Sequence, residues 1–187
     1  MIKSDDNLFK TNNQGSILYE ESGIEIINFG NKFIKQHTQN LLDSFAATYG
    51  RPMFEMSKGL TPEEKAEFVF FAPQAILSHD IRDDGQGIRE NIYNYANRAA
   101  LLIFERTYQE QTALASFKSA PSSFQDERNN LLGECLAMGK VIFDAERVSA
   151  KGKKILIQKG LFFNISDTRG IYRGQAVLLK KTTSKNF

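Results

Sequence analysis

At 187 residues the chain is long enough for one domain with a substantial core, which at this size buries roughly 70% of the unfolded surface. An apolar share of 41% with 25% charged residues excludes bulk disorder, and a single cysteine, Cys135, excludes an internal disulfide or a cysteine-based zinc finger. The net charge of +2 is unevenly spread: residues 151–187 hold nine Lys or Arg against one acid, Asp167, a local +8 that leaves −6 for residues 1–150.

Fifteen Phe and no Trp predict a Phe-rich core, and Leu132 and Leu136 around Cys135 predict a buried thiol. No apolar run approaches the ~20 residues of a membrane span. Met1–Asp6 lacks the apolar stretch of a signal peptide. A cytoplasmic protein is therefore expected, although export of an unfolded chain through a dedicated secretion machine would leave the same sequence.

In chain order, residues 1–15 are polar. Ile17-Leu18-Tyr19 and Ile24-Glu25-Ile26-Ile27, separated by Glu-Glu-Ser-Gly, read as a hairpin. Phe33, His37, Leu41 and Phe45 recur every four residues and predict a helix from about Asn31 to Thr48. Thr61-Pro62-Glu63-Glu64 combines an N-cap, a first-turn proline and a capping-box acid, and starts a helix toward Ile76 and Leu77 that Pro73 should kink or interrupt. After Asp83-Asp84-Gly85-Gln86-Gly87, the stripe Ile88, Ile92, Tyr95, Ala99, Leu102 and Ile103 predicts a long helix to about Lys118. Another helix is expected from Pro121 to about Glu146. Ile155-Leu156-Ile157, Leu161-Phe162-Phe163 and Ala176-Val177-Leu178-Leu179 then read as two or three strands, with Asp167-Thr168-Arg169-Gly170 as a turn.

These elements predict an α+β, mainly α fold: a bundle of four to five helices with a small antiparallel sheet formed by the N- and C-terminal segments. Residues 1–30 would be a tail and hairpin, 31–150 the helical body and 151–187 a basic, β-rich arm, together one domain. The arm suits an acidic partner, or serves as a strand edge that lysines protect from aggregation. Nucleic-acid contact by Phe162, Phe163 and Tyr172 among Lys159, Arg169 and Arg173 is a weak reading beside an inward-facing aromatic core.

The chain has two histidines, His37 and His79, and His79 directly precedes Asp80. With Asp144 they form a mixed nitrogen and oxygen set of a kind that suits a divalent first-row metal, which could generate hydroxide and polarise a phosphoryl oxygen. Ala75-Ile76-Leu77-Ser78-His79-Asp80-Ile81, Asp144-Ala145-Glu146-Arg147 and Gly59-Leu60-Thr61-Pro62-Glu63-Glu64 resemble the HD superfamily of metal-dependent phosphohydrolases over about Lys32 to Ala150. That resemblance implies His37, His79, Asp80 and Asp144 as ligands of Mn, Mg, Fe or Zn. Asp83 and Asp84 resemble the acid pair of the alarmone-hydrolase branch and would assist water, while Arg82 and Arg89 would contact phosphate. The implied function is hydrolysis of a phosphate ester or nucleotide.

Each residue has a plainer reading. His37 lies on an apolar helical stripe, as a core histidine would; His79 and Asp80 could end a helix; Asp83-Asp84-Gly85 could be an ordinary turn. The competing function is a non-catalytic interaction protein whose helical body binds a protein partner.

Overall fold

The computed structural model describes residues 10–11, 17–19, 25–83 and 89–185. Three short strands come first, β1 (Lys10–Thr11), β2 (Ile17–Tyr19) and β3 (Glu25–Ile27), paired antiparallel with one another. Helices α1 (Lys32–Tyr49) and α2 (Pro62–Phe71) follow. Then come strands β4 (Ala75–Asp83) and β5 (Arg89–Ala96), helices α3 (Arg98–Phe104) and α4 (Tyr108–Thr112), and two short 3-10 turns, Ser116–Ser119 and Ser122–Phe124. Helix α5 (Gln125–Met138) leads into β6 (Lys140–Val148), β7 (Lys154–Ser166), β8 (Tyr172–Leu179) and β9 (Lys181–Lys185).

The main sheet is six-stranded and antiparallel, in the order β5-β4-β8-β7-β6, with β9 pairing the first half of β7. The mainly helical expectation is thus corrected. The sheet is the frame of the molecule, and three of its strands, β4, β5 and β6, come from the stretch read as helical body. The N-terminal strands pair among themselves and not with the C-terminal ones.

The local causes are visible residue by residue. The Asn31 side chain caps α1 by accepting from the Phe33 and Ile34 N–H groups, and Gly50 closes the helix in the left-handed conformation at φ 66°. Thr61 and Glu64 form the expected capping box on α2. Of the two outcomes expected at Pro73, the helix is interrupted and not kinked: α2 stops at Phe71, because a residue before proline is biased away from helical geometry. From Ala75 the chain is a central strand, buried on both faces from Ala75 to His79. Such a strand shows a continuous apolar run without alternation, which periodicity cannot tell from a buried helix.

The predicted long helix from 88 to 118 is divided by Asn97. Its side chain accepts from the N–H groups of Ala100 (3.1 Å) and Ile76 (2.8 Å) and donates to the carbonyls of Gln74, Ala72 and Val69. One fully buried amide therefore caps α3 and ties it to β4 and the end of α2. The helix expected to reach Glu146 ends at Met138, with Gly139 as its left-handed cap at φ 80°, and residues 140–148 are strand β6.

The two faces of the sheet carry different layers. Helix α1 covers one, packing Phe45 edge-on against Phe163 at 5.4 Å, with Leu41, Ile76 and Leu178 fully buried or nearly so. Helices α3 to α5 and the 3-10 turns cover the other. Segment 151–187 is no free arm: β7 and β8 sit inside the sheet, Phe162 and Phe163 are buried, Lys154 pairs with Glu146 at 3.1 Å, and Arg169 and Arg173 both pair with Asp167.

Candidate functional site: a cavity between the sheet and the α3–α5 layer

A register shift in β4–β5 decides which side chains meet. Ser78 pairs with Tyr95 and His79 with Tyr93, leaving Asn94 as the extra residue of a β-bulge. Tyr93 and Tyr95 consequently point to opposite faces. Ser78 and Tyr95 face α1, where the His37 ring lies 5.6 Å from Tyr95 and stacks on Phe33 at 5.0 Å. His37 Nε2 and Ser78 Oγ are 2.7 Å apart, and Ser78 donates its one proton to Asn94 Oδ1 at 2.6 Å. His37 Nε2 therefore donates to Ser78.

His79 and Tyr93 face the other way, into a cavity of about 60 Å³ whose walls come from every strand of the β5-β4-β8-β7-β6 path, from Phe104 of α3, from α5 and from the Ser116–Ser119 turn. Most of its lining is apolar, including Leu77, Phe104, Leu132, Phe162 and Val177. Its polar groups are few: His79, Tyr93, Ser116, Ser119, Arg128 and Arg147. The Tyr93 and Ser119 hydroxyls pair at 2.9 Å. Arg128 donates to Ser116 Oγ and, at 2.9 Å, to Asn129 Oδ1; Arg147 donates to the Glu146 carbonyl at 2.8 Å.

His79 is the outlier. It is 5% exposed, and neither ring nitrogen has a hydrogen-bond partner among the described residues. A buried, unsatisfied polar atom costs about 1–3 kcal/mol. Burial pushes its pKa down to about 3; the Arg128 charge acts in the same direction, and the nearby Asn91 side chain, close enough to act on the ring but outside hydrogen-bonding geometry, opposes them. The ring is therefore neutral in the folded protein, whereas in the unfolded chain it takes a proton below the ordinary value of about 6.5. Between those values the unfolded state binds more protons, so stability falls as pH drops from about 6.5 toward about 3, by up to ~1.4 kcal/mol per pH unit. In a carboxylate-free buffer, wild type is expected to lose ~2–3 kcal/mol relative to His79→Leu between pH 6.5 and 4.5 by the same linkage. Parallel urea midpoints for the two proteins over that range would refute the assignment.

The expected metal ligands do not assemble. His37 and His79 lie on opposite faces of the sheet. Asp144 is exposed on β6, where its Oδ1 accepts from the Lys159 N–H at 2.7 Å and secures a bulge in which Lys159 takes φ 52°. Asp80 follows His79 on β4, opposite Ile92. Among the described residues no group of three or more His, Cys, Asp or Glu side chains could hold a metal ion. The backbones of Arg82 and Asp83 pair with those of Glu90 and Arg89 at the open end of β4–β5; the side chains of Arg82, Asp83 and Arg89, and all of Asp84, lie outside the described residues.

Cys135 is buried, with its thiol pushed up to about 12 mainly by that burial, an inert packing residue. A larger hollow of about 300 Å³ beside α1 and the β7–β8 turn is more open, and Asp167 on its wall is already satisfied by Arg169 and Arg173.

The molecule is thus an antiparallel sheet with a cavity between one of its faces and the elements that cover it. The MEKHLA domain matches residues 35–184, and the chain belongs to that family. Among solved structures, an RNA-binding light-oxygen-voltage receptor is 13% identical with a TM-score of 0.54, over 69% of this chain and 36% of the receptor. The photo-excited blue-light photoreceptor Vivid, from a fungus, is 13% identical with a TM-score of 0.50, over 75% of this chain and 94% of Vivid. A PAS domain from Colwellia psychrerythraea is 11% identical with a TM-score of 0.49, over 67% of this chain and 95% of that domain. No curated protein matches the chain in sequence.

The fold is PAS-like. The HD-superfamily resemblance is thereby corrected, and the phosphohydrolase reading with it: the His-Asp doublet sits on a strand of an antiparallel sheet and not in a helical bundle, so its spacing to His37 and Asp144 has no helical meaning. No helix among the described residues is long and apolar enough to cross a membrane.

Proposed function

We propose that the chain is a non-catalytic sensory domain that takes a small molecule into the cavity between the sheet and the α3–α5 layer and reports its occupancy to a protein partner. The observation that carries this reading is the partly open, mostly apolar cavity with a deeply buried His79 in its wall, neither ring nitrogen hydrogen-bonded. A few convergent polar groups in an apolar hollow are the ordinary composition of a ligand site. At about 60 Å³ the space equals the share of about two water molecules, which favours a ligand of a few heavy atoms.

Helix α5 suits the reporting role. It lines the cavity through Arg128, Leu131 and Leu132 and exposes Leu136 and Met138 on its outer side. It buries little, only Arg128 and Cys135 being fully covered. An element with so few buried apolar contacts is held less firmly than the sheet beneath it.

The test is a screen of small neutral and charged molecules for thermal stabilisation, repeated on Val177→Phe, whose larger side chain fills the cavity. Saturation at about 100 times the dissociation constant should stabilise by ~3 kcal/mol, read as a shift of ~6–10 °C for a chain of this size. The shift should vanish in the filled variant. Stabilisation surviving in Val177→Phe would place the ligand elsewhere, and no stabilisation by any compound would remove the reading.

A further inference from the structure

Two of the cavity's polar residues are cations without a counter-ion. Arg128 is 7% exposed and Arg147 is half-buried, yet among the described residues neither has a carboxylate within salt-bridge distance. Guanidinium groups stay charged in proteins, and an uncompensated buried charge is strongly destabilising. The contacts of Arg128 to Ser116 and Asn129 and of Arg147 to the Glu146 carbonyl are all to neutral oxygens and use a minority of the available N–H donors. Arg147 disfavours the charge on Arg128, so the two repel; the Tyr93 side chain eases both, and exposed Glu127 is the acid whose field reaches Arg147. A third polar group, His79, points into the same space with both nitrogens open.

We propose that the cavity binds a short aliphatic carboxylate, with its anionic head between Arg128 and Arg147, a hydrogen bond from His79, and its alkyl end against Leu77, Phe162 and Val177. A guanidinium fork matches the two oxygens of a carboxylate, and the apolar remainder of the wall suits hydrocarbon. An inorganic oxyanion would satisfy the arginines and leave the apolar walls without a partner. A neutral molecule of equal size would leave both charges uncompensated. This inference rests on the sensory reading of the cavity and names its ligand class.

The experiment titrates the full chain with formate, acetate, propionate and butyrate, and with the matched amides, at constant ionic strength in a carboxylate-free buffer. Binding is followed by calorimetry and thermal shift. The carboxylates should bind at least about tenfold tighter than their amides, and Arg147→Gln should remove at least about tenfold of that affinity and narrow the gap between the two series, as loss of a charged partner does. Arg128→Gln should act alike; if it fails to fold, the comparison of the two series in wild type still decides. Amides binding as well as carboxylates, or chloride and nitrate competing equally with acetate, would overturn the assignment and leave the sensory reading intact. Carboxylates failing while the broader screen finds a neutral occupant would do the same. Failure of both series together with an empty screen would remove the sensory reading as well.

Discussion

Replacing Gly174 by alanine is expected to cost the protein ~4 kcal/mol or more, the range reserved for severe steric or backbone lesions, and to lower the midpoint of thermal unfolding by ~10 °C or beyond. Gly174 lies on β8 at φ 116°, a conformation that side chains with a Cβ rarely adopt. A Cβ there would sit 2.1 Å from the His79 carbonyl oxygen and 3.2 Å from the Asp80 Cα, all of it backbone that no rotamer change can move. The neighbouring pair, His79 with Gln175, is where β8 joins β4. Separating those strands would open the cavity at the His79 wall, so ligand binding should fall together with stability. A Gly174→Ala protein that melts within about 2 °C of wild type, a shift worth under ~1 kcal/mol for a chain of this length, would show that the approach of β8 to β4 has been misplaced.

Asn97→Ala is expected to be nearly as damaging, at ~3–5 kcal/mol. Loss of the cap on α3 accounts for ~1 kcal/mol. The rest comes from buried backbone groups left without partners, at ~1–3 kcal/mol each before relaxation: the Ile76 N–H and the carbonyls of Gln74 and Ala72, the Val69 carbonyl keeping the Ala72 N–H at 3.4 Å. Asn97→Asp keeps the acceptor toward Ile76 and Ala100 but turns a carboxylate toward those carbonyls, and should be no better than alanine. Urea unfolding of the three proteins decides the matter. A loss below ~1 kcal/mol for alanine would mean that solvent or the backbone takes over those hydrogen bonds.

What was legible in the sequence follows from how each element is buried. Helices α1 and α2 could be read because their signals are local: the four-residue recurrence from Phe33 to Phe45 in α1 and the Thr61–Glu64 box at the start of α2. Strands β7 and β8 showed as short apolar runs in a segment free of helical spacing. Strand β4 did not, because its burial on both faces removes the alternation that marks a half-exposed strand. Its neighbour β5 was absorbed into a helical stripe that joined Ile92 and Tyr95 to Ala99. The bulge at Asn94 and the cap at Asn97 break that stripe, and neither has a signature apart from the tertiary partners that make it.

The site was legible only in part. His79 stood out as one of two histidines, and it does line the cavity, but its companions there are Tyr93, Arg128 and Arg147 and not His37 or Asp144. The plainer reading of His37, a core histidine, describes what surrounds it: Ser78, Phe33 and Tyr95. Arg128 lies among polar residues at the start of α5, where a charge is ordinarily solvated, and its burial depends on the Ser116–Ser119 turn folding over it. Arg147 is one position of a strand whose exposure does not alternate cleanly. No spacing in the chain links these residues, which lie 14 to 68 positions apart and are brought together only by the strand order and the packing of α5 on the sheet.

The most direct measurement of the central claim, that the cavity is a ligand site, is a backbone and side-chain NMR titration of the isotopically labelled full chain with the best carboxylate from the calorimetric series. The expected result is saturable shifts concentrated at Leu77, His79, Tyr93, Phe162 and Val177 and at the Arg128 and Arg147 side-chain N–H groups, absent in Val177→Phe. Saturable shifts confined to exposed residues such as Ile142 or Met138, with the cavity resonances unmoved, would contradict it.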